Sequence, residues 1–253
     1  MDIKRYMRHI TLGEIGILGQ QRICEGSVLV IGAGGLGCSV LQALAASGVG
    51  TLGIVDGDRV SISNLHRQIL YTDNDIGTPK VEAAKRAIRK INGETEVCIH
   101  STYLNEQNAH ELIGQYDVVV DGTDDTKAKY LISKACAEVG RSLVYAAIHK
   151  FQGQVAVFNF PTGDAKAIGY EDLFPQGRSE EQAPNCTDNG VLGVFPMILG
   201  NIQAGEVLKL LTGSGDVLGN SVLVYDFLRN EIFKYAIKKQ FLSKADKGVL
   251  HEP

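Results

Sequence analysis

The 253-residue sequence predicts an α/β fold: a doubly wound, mainly parallel, Rossmann-like sheet extended by C-terminal antiparallel strands. Three observations predict it. Short apolar runs alternate with helix-length amphipathic segments from residue 27 to residue 147. The first run breaks into Gly32-Ala33-Gly34-Gly35-Leu36-Gly37 and then resumes with helical spacing. Close to the C-terminus, residues 221–226 and 231–237 read as two antiparallel strands around Leu228-Arg229-Asn230.

The elements follow in order. Residues 2–24 read as two short helices broken at Gly13, and 27–32 as a buried strand. A helix over 34–47 leads to a second strand over 50–55, which ends in Asp56-Gly57-Asp58. Residues 61–71 are mixed and loop-like. Thr78 as N-cap and Pro79 as the first helical residue open an amphipathic helix that reaches Ile91. Strand 96–100, helix 106–114, strand 116–121, helix 125–139 and strand 143–147 complete the alternation. After His149 the rhythm changes. Residues 154–160 form a strand, and 161–189 are polar, turn-rich and aperiodic, as in a lid or crossover. An apolar helix over 191–211 precedes the closing hairpin, and 238–253 is a charged, loose tail. The chain reads as one domain, 1–253. It has N-terminal helices (1–26), a nucleotide-binding half (27–150) and a half carrying the crossover, helix and hairpin (151–237). The hairpin reads equally as a docking surface and as a plain continuation of the sheet.

Composition narrows the function. Hydrophobic residues are 44% and charged residues 21%, an ordinary globular balance. A net charge of −4 argues against broad nucleic-acid binding. No stretch reaches the roughly 18 consecutive apolar residues of a membrane span. The N-terminal residues lack the apolar core of a secretory signal, so a cytoplasmic location is expected. Five cysteines, at 24, 38, 98, 136 and 186, include no close pair, so neither disulfides nor a cysteine-held zinc is expected.

The glycine pattern Gly32, Gly34, Gly37 follows a strand and opens a helix, the setting in which backbone amides and a helix N-terminus cradle phosphate. Asp56 ends the next strand, where an acid hydrogen-bonds ribose hydroxyls. These features indicate an adenine nucleotide and leave NAD and ATP equally open. Residues further on separate the two. Arg67 is a planar fork suited to phosphate. Lys80 stands in the first turn of its helix, where a cation opposes the helix dipole and wants an anionic partner. The strand ending at Asp121 runs into Asp124 and Asp125 at the ligand edge of the sheet, and a carboxylate there suits Mg²⁺ bound with phosphates. Cations and a magnesium acid converging on phosphates serve attack on phosphorus, not hydride transfer. His66 and His149 are the nearest hydride-relay candidates, and neither has a recognisable partner.

The segments RYMRHITLGEIGILGQQRI, VLVIGAGGLGC, IVDGDRVSISNLHRQ, GTPKVEAAKRAI and VVVDGTDDTKAKYLI occur in that order. Over about residues 1–235 the chain resembles the ThiF/MoeB/HesA family, bacterial relatives of ubiquitin-activating enzymes. The resemblance implies ATP-dependent adenylation of the C-terminal glycine of a small ubiquitin-like sulfur carrier ending in Gly-Gly, with release of pyrophosphate. It implies that Gly35, with Gly32, Gly34 and Gly37, approaches the phosphates, and that Asp56, with Asp58, serves the ribose. Asn64 and Arg67, flanked by Ser63 and Gln68, would hold the phosphates. Lys80 would stabilise the α-phosphate, and Asp124, beside Asp125, would bind Mg²⁺. Arg8 matches an arginine that family members insert into the partner's site, implying a homodimer; on the sequence alone it is one charge on an amphipathic helix. The pathway stays open among thiamine, molybdopterin, an amino acid and a secondary metabolite. An ATP-dependent tRNA-base dehydratase of the same superfamily is the alternative, and a non-catalytic scaffold is a third reading.

Cys24, Cys38, Cys98 and Cys136 lie in apolar surroundings and read as small buried hydrophobes. Cys186 stands in a polar run just before a helix, a setting that lowers a thiol pKa. The resemblance implies a later thioester or persulfide role for it, although Asp188 opposes a thiolate. Many relatives hold zinc with two CxxC pairs. This chain has neither pair, so no structural zinc is expected.

Overall fold

The computed structural model describes residues 1–161, 167–175 and 190–237. Its elements are α1 (Ile3–Ile10), α2 (Gly16–Glu25), β1 (Ser27–Ile31), α3 (Gly35–Ser47), β2 (Thr51–Val55), α4 (Lys80–Ile91), β3 (Glu96–His100) and α5 (Ala109–Gly114), followed by β4 (Val118–Asp121), α6 (Thr126–Val139), β5 (Ser142–His149), β6 (Gln152–Phe158), α7 (Tyr170–Leu173), α8 (Val194–Thr212), β7 (Ser221–Asp226) and β8 (Glu231–Ala236). One sheet runs β3-β2-β1-β4-β5-β6-β7-β8. The first five strands are parallel, and β6, β7 and β8 add on antiparallel. The predicted architecture is therefore present.

Alternation along β1 assigns the layers. Val28 and Val30 face one way, into a core with residues of α3, α4 and α8. Leu29 and Ile31 face the other way, onto α5 and α6. Both faces are covered, which is why β1 reads as an unbroken apolar run. Each fully buried Leu or Ile contributes about 1.5–3 kcal/mol. The register places Ile31 opposite both Val55 and Asp121, so β1, β2 and β4 end level. Between β1 and β4, α3 leaves toward one face and α6 toward the other, which creates the switch-point crevice of a doubly wound sheet.

Several boundaries depart from expectation, each for a local reason. Helix α4 starts at Lys80, and Pro79 rather than Thr78 is the capping residue, with ψ 132 and a bridge to Arg59. Helix α5 starts at Ala109 because the Asn105 carboxamide takes the amides of Gln107 and Asn108 in a competing turn. Strand β4 starts at Val118, since Asp117 is drawn to the Ser27 amide and hydroxyl. Strand β6 ends at Phe158 because Asn159 turns to φ 58. Helix α8 starts at Val194, which leaves Pro196 in the first turn, where no amide is needed. Of the four cysteines expected to be buried, Cys38 and Cys136 are, whereas Cys24 and Cys98 are half-buried.

By length and composition, Val194–Thr212 is apolar enough to cross a membrane, although Asn201, Gln203, Glu206 and Lys209 break it into shorter apolar runs. In the fold it is a core helix. It packs on α3 and buries Phe195, Leu199 and Val207 together with Gln203 and Glu206.

Candidate functional site

The turn after β1 is shaped by close backbone approach. Gly32 has φ +91, and a Cβ on Gly37 would lie 1.9 Å from the Gly32 carbonyl oxygen. Gly32 in turn lies against Gly122 in the loop after β4, so the two loops at the switch point are in contact. Ala33 is pinned from both sides. Its amide donates to Asp56 Oδ2 at 2.8 Å, and its carbonyl accepts from the Tyr71 hydroxyl at 2.9 Å. Gly34 caps α3 without a side chain, so the first amides of the helix face outward with the positive end of the helix dipole. That is an anion cradle. A Cβ on Gly35 would press on Pro196 at 3.0 Å, which brings the start of α8 against the same turn.

Asp56 and Asp58 connect this turn to Lys80. Asp56, 8% exposed, spends one oxygen on Ala33 N and the other on Asp58 N, each at 2.8 Å. Lys80 is 6% exposed; its Nζ lies 2.7 Å from Asp58 Oδ2 and 3.9 Å from Asp56 Oδ2. Its backbone amide donates to the Asp58 carbonyl, which fixes the start of α4 against the second strand's exit. The anionic partner expected of Lys80 is thus supplied, in this structure, by two carboxylates. Burial alone would raise the Asp58 pKa, but hydrogen bonds from Lys80 and from the Tyr103 hydroxyl outweigh it and hold the carboxyl below the ordinary value.

Residues 61–68 wrap beneath the turn. Asn64 Oδ1 accepts from the Ser61 amide, and the hydroxyls of Ser61 and Ser63 lie 3.1 Å apart. Arg67 donates from Nη1 to the Ser63 carbonyl at 2.9 Å. Gln68 is 3% exposed, and its Oε1 has no partner among the described residues. A buried acceptor left unpaired is unfavourable, so this atom fits a donor from a nucleotide hydroxyl or amine, or a water. The cradle, the free acceptor and Lys80 together fit a nucleotide.

At the end of β4, Asp125 caps α6 by accepting from Ala128 N at 2.9 Å. Asp124, one residue earlier, is exposed and takes part in no hydrogen bond or ion pair among the described residues. The residue that caps α6 is Asp125, which leaves the Asp124 carboxylate uncommitted among the described residues. No group of three or more His, Cys, Asp or Glu side chains among the described residues forms a metal cage. Mg²⁺ bound with phosphates needs only one or two carboxylates, so Asp124 fits that arrangement.

Sequence reasoning missed two buried residues here: Asp121, fully buried, and Lys129, paired at 2.8 Å. A signal existed, because Lys129 falls on the same helical face as Ile132, Ser133 and Cys136, all of them buried.

Arg8 lies apart from this cluster. It is exposed on α1, and the buried Tyr6, two residues earlier, anchors that helix to Asn92 and against Gly48, at the far ends of α4 and α3. Thirteen residues of α3 separate Gly48 from the glycine turn, about 20 Å along the helix axis. Cys186 lies outside the described residues.

Comparisons with known proteins identify the family of the chain. The ThiF family model matches residues 6–244. The sulfur carrier protein adenylyltransferase of Thermus thermophilus is 41% identical over 240 residues, covering 94% of this chain and 88% of that protein. The adenylyltransferase and sulfurtransferase MOCS3 of Xenopus laevis is 40% identical over 237 residues, and this chain spans 52% of its length. Among solved structures, E. coli MccB with MccA superposes with a TM-score of 0.82 at 21% identity, covering 98% of this chain and 75% of that one. That likeness speaks for the fold alone. The family model covers almost the whole chain, and a relative 41% identical spans 94% of it, so this chain belongs to the ThiF family.

Proposed function

We propose that the chain is an ATP-dependent adenylyltransferase that activates the C-terminal carboxylate of a small ubiquitin-like sulfur-carrier protein. The observation that carries this reading is Lys80, a buried cation held at the glycine turn by two carboxylates and not consumed in the core. A triphosphate entering the turn meets a cation already placed there, which exchanges its contact with the half-exposed Asp58 carboxylate for phosphate. The relative from Thermus thermophilus, similar over most of both chains, carries this activity in its name.

The reaction needs no protein nucleophile. A carrier carboxylate oxygen attacks the α-phosphorus, the bond from that phosphorus to the bridging oxygen breaks, and pyrophosphate leaves with the electron pair. The amides of α3, Arg67 and Lys80 neutralise charge that grows on the phosphate oxygens. Gln68 lies against the turn; on this reading Asn64 and Ser63 would contact the phosphates, and Asp56 would serve the ribose. Asp124 would hold Mg²⁺, which would supply positive charge against the phosphates.

The finer parts of the reading rest on separate supports. α1 exposes Ile3 and Met7, and Leu12 and Leu18 are exposed close by in sequence; this apolar surface accompanies Arg8 and suits a homodimer in which Arg8 completes the partner's site. A tail ending in Gly-Gly suits a narrow approach to the α-phosphorus. The antiparallel edge strand β8, exposed along its length with Ile232, Phe233 and Tyr235 uncovered, suits docking of the carrier body. Cys186 is assigned to transfer after adenylation. A tRNA dehydratase finds less support: the similar proteins are named adenylyltransferases, one of them of a sulfur carrier protein, and the net charge is −4.

The test is ATP–pyrophosphate exchange with a carrier ending in Gly-Gly. Exchange should require the carrier, persist in Cys186→Ala, and vanish when the carrier loses its last two residues. Exchange that is indifferent to the carrier tail contradicts the reading.

A further inference from the structure

A polar cluster is buried beneath the crevice. Lys129, 6% exposed, donates from Nζ to Asp121 Oδ2 at 2.8 Å, to the Thr123 carbonyl at 2.8 Å and to the Ala146 carbonyl at 3.1 Å, and it lies 5.1 Å from the centre of the Tyr145 ring. Asp121, fully buried, accepts at Oδ1 from the Thr123 amide at 2.9 Å and the Thr123 hydroxyl at 2.6 Å. Gln203 of α8 donates to the Asp121 carbonyl at 2.9 Å. The backbone donor, backbone acceptor and hydroxyl of Thr123 are therefore all engaged by one ion pair. On the other side, Asp125 is fixed by capping α6. Asp124 sits between these two anchors with its own carboxylate uncommitted.

Burying such a pair is a poor route to stability, because apolar residues of the same volume do as well or better. Its connections instead converge on the residue that precedes Asp124. We propose that Asp121 and Lys129 are positioning residues: they lock Thr123 and so hold the Asp124 carboxylate where a nucleotide-bound divalent cation is met. The inference rests on the reading of Asp124 as the magnesium ligand. Magnesium demands near-ideal octahedral geometry, and partners behind a ligand set its orientation.

Two quantities test this. One is amide hydrogen exchange of residues 122–126 in the nucleotide-free protein. The other is the Mg²⁺ concentration that gives half-maximal carrier-dependent exchange at saturating ATP. Lys129→Met alone leaves Asp121 charged and unpaired. The double variant Asp121→Asn/Lys129→Met, which buries no charge, and Thr123→Val, which removes only the hydroxyl bond, are therefore measured beside it. Both should fold and should lose protection at 122–126. The Mg²⁺ requirement should rise about ten-fold in the double variant and by less in Thr123→Val, with the KM for carrier unchanged. Folded variants with wild-type protection and wild-type Mg²⁺ requirement overturn the proposal. Asp124→Asn separates the two levels. If it leaves the Mg²⁺ requirement unchanged, the ligand assignment falls and the positioning role falls with it. If it raises the requirement while the other variants do not, only the positioning role falls.

Discussion

Replacing Lys80 with methionine separates chemistry from stability. Methionine keeps an unbranched stem of similar reach, so packing along α4 is retained. The Asp58 partner is 49% exposed at its side chain, and a pair of that kind is worth under about 1 kcal/mol. Asp56 is buried, but both of its oxygens already accept backbone amides at 2.8 Å, so it is not left as a bare charge. The loss of about 3–5 kcal/mol seen on breaking a fully buried pair therefore does not apply, and a stability loss of about 1–2 kcal/mol is expected. For a domain of this size that lowers the melting temperature by about 2–8 °C. Chemistry should suffer far more. Removing one preplaced donor at the developing charge costs about 3–4 kcal/mol, or about 10²–10³-fold in rate. Thermal melting and carrier-dependent exchange, measured on one preparation, report both numbers. Exchange within about ten-fold of wild type would show that Lys80 serves the fold and not the reaction.

Two further results are expected. Gly37→Ala sets a Cβ 1.9 Å from the Gly32 carbonyl and should destabilise the protein by about 3 kcal/mol or more. Gly34→Ala meets nothing nearer than Gln68 Nε2 at 3.8 Å, so it should melt near wild type yet lose about 10- to 100-fold in kcat/KM for ATP; equal melting temperatures for the two variants would refute this reading of the turn. Mixing equal amounts of Arg8→Ala and Lys80→Met subunits should restore about a quarter of wild-type exchange, because half of the dimers are mixed and each mixed dimer holds one intact composite site of two. No recovery on mixing would place Arg8 outside the partner's site.

Much of this was legible in the sequence, because its signals are local. The glycine turn, the acid at the end of β2 and the alternation of strands and helices all follow from short-range pattern. What escaped was set by contacts between distant segments. The start of α4 depends on Lys80 N reaching the Asp58 carbonyl and on Pro79 bridging Arg59, neither of which a cap pattern encodes. The partner of Lys80 was expected to be phosphate, and Asp58 emerged only when the second strand's exit was laid against α4. Asp121 read as one more acid of the ligand edge, yet the register that levels β1 with β4 buries it and makes Lys129 its partner. Asp124 and Asp125 look equivalent in sequence, and only the geometry of the first turn of α6 divides cap from free carboxylate. The length and hydropathy of α8 match a membrane span as well as a core helix; packing against α3 is what distinguishes them.

The most direct measurement follows an oxygen atom. A carrier protein labelled with heavy oxygen in its C-terminal carboxylate is incubated with the enzyme, ATP and Mg²⁺, and the activated product is cleaved with hydroxylamine. Attack on the α-phosphorus predicts AMP carrying one labelled oxygen, together with unlabelled pyrophosphate. Label found in inorganic phosphate beside ADP, or AMP without label, would contradict the account.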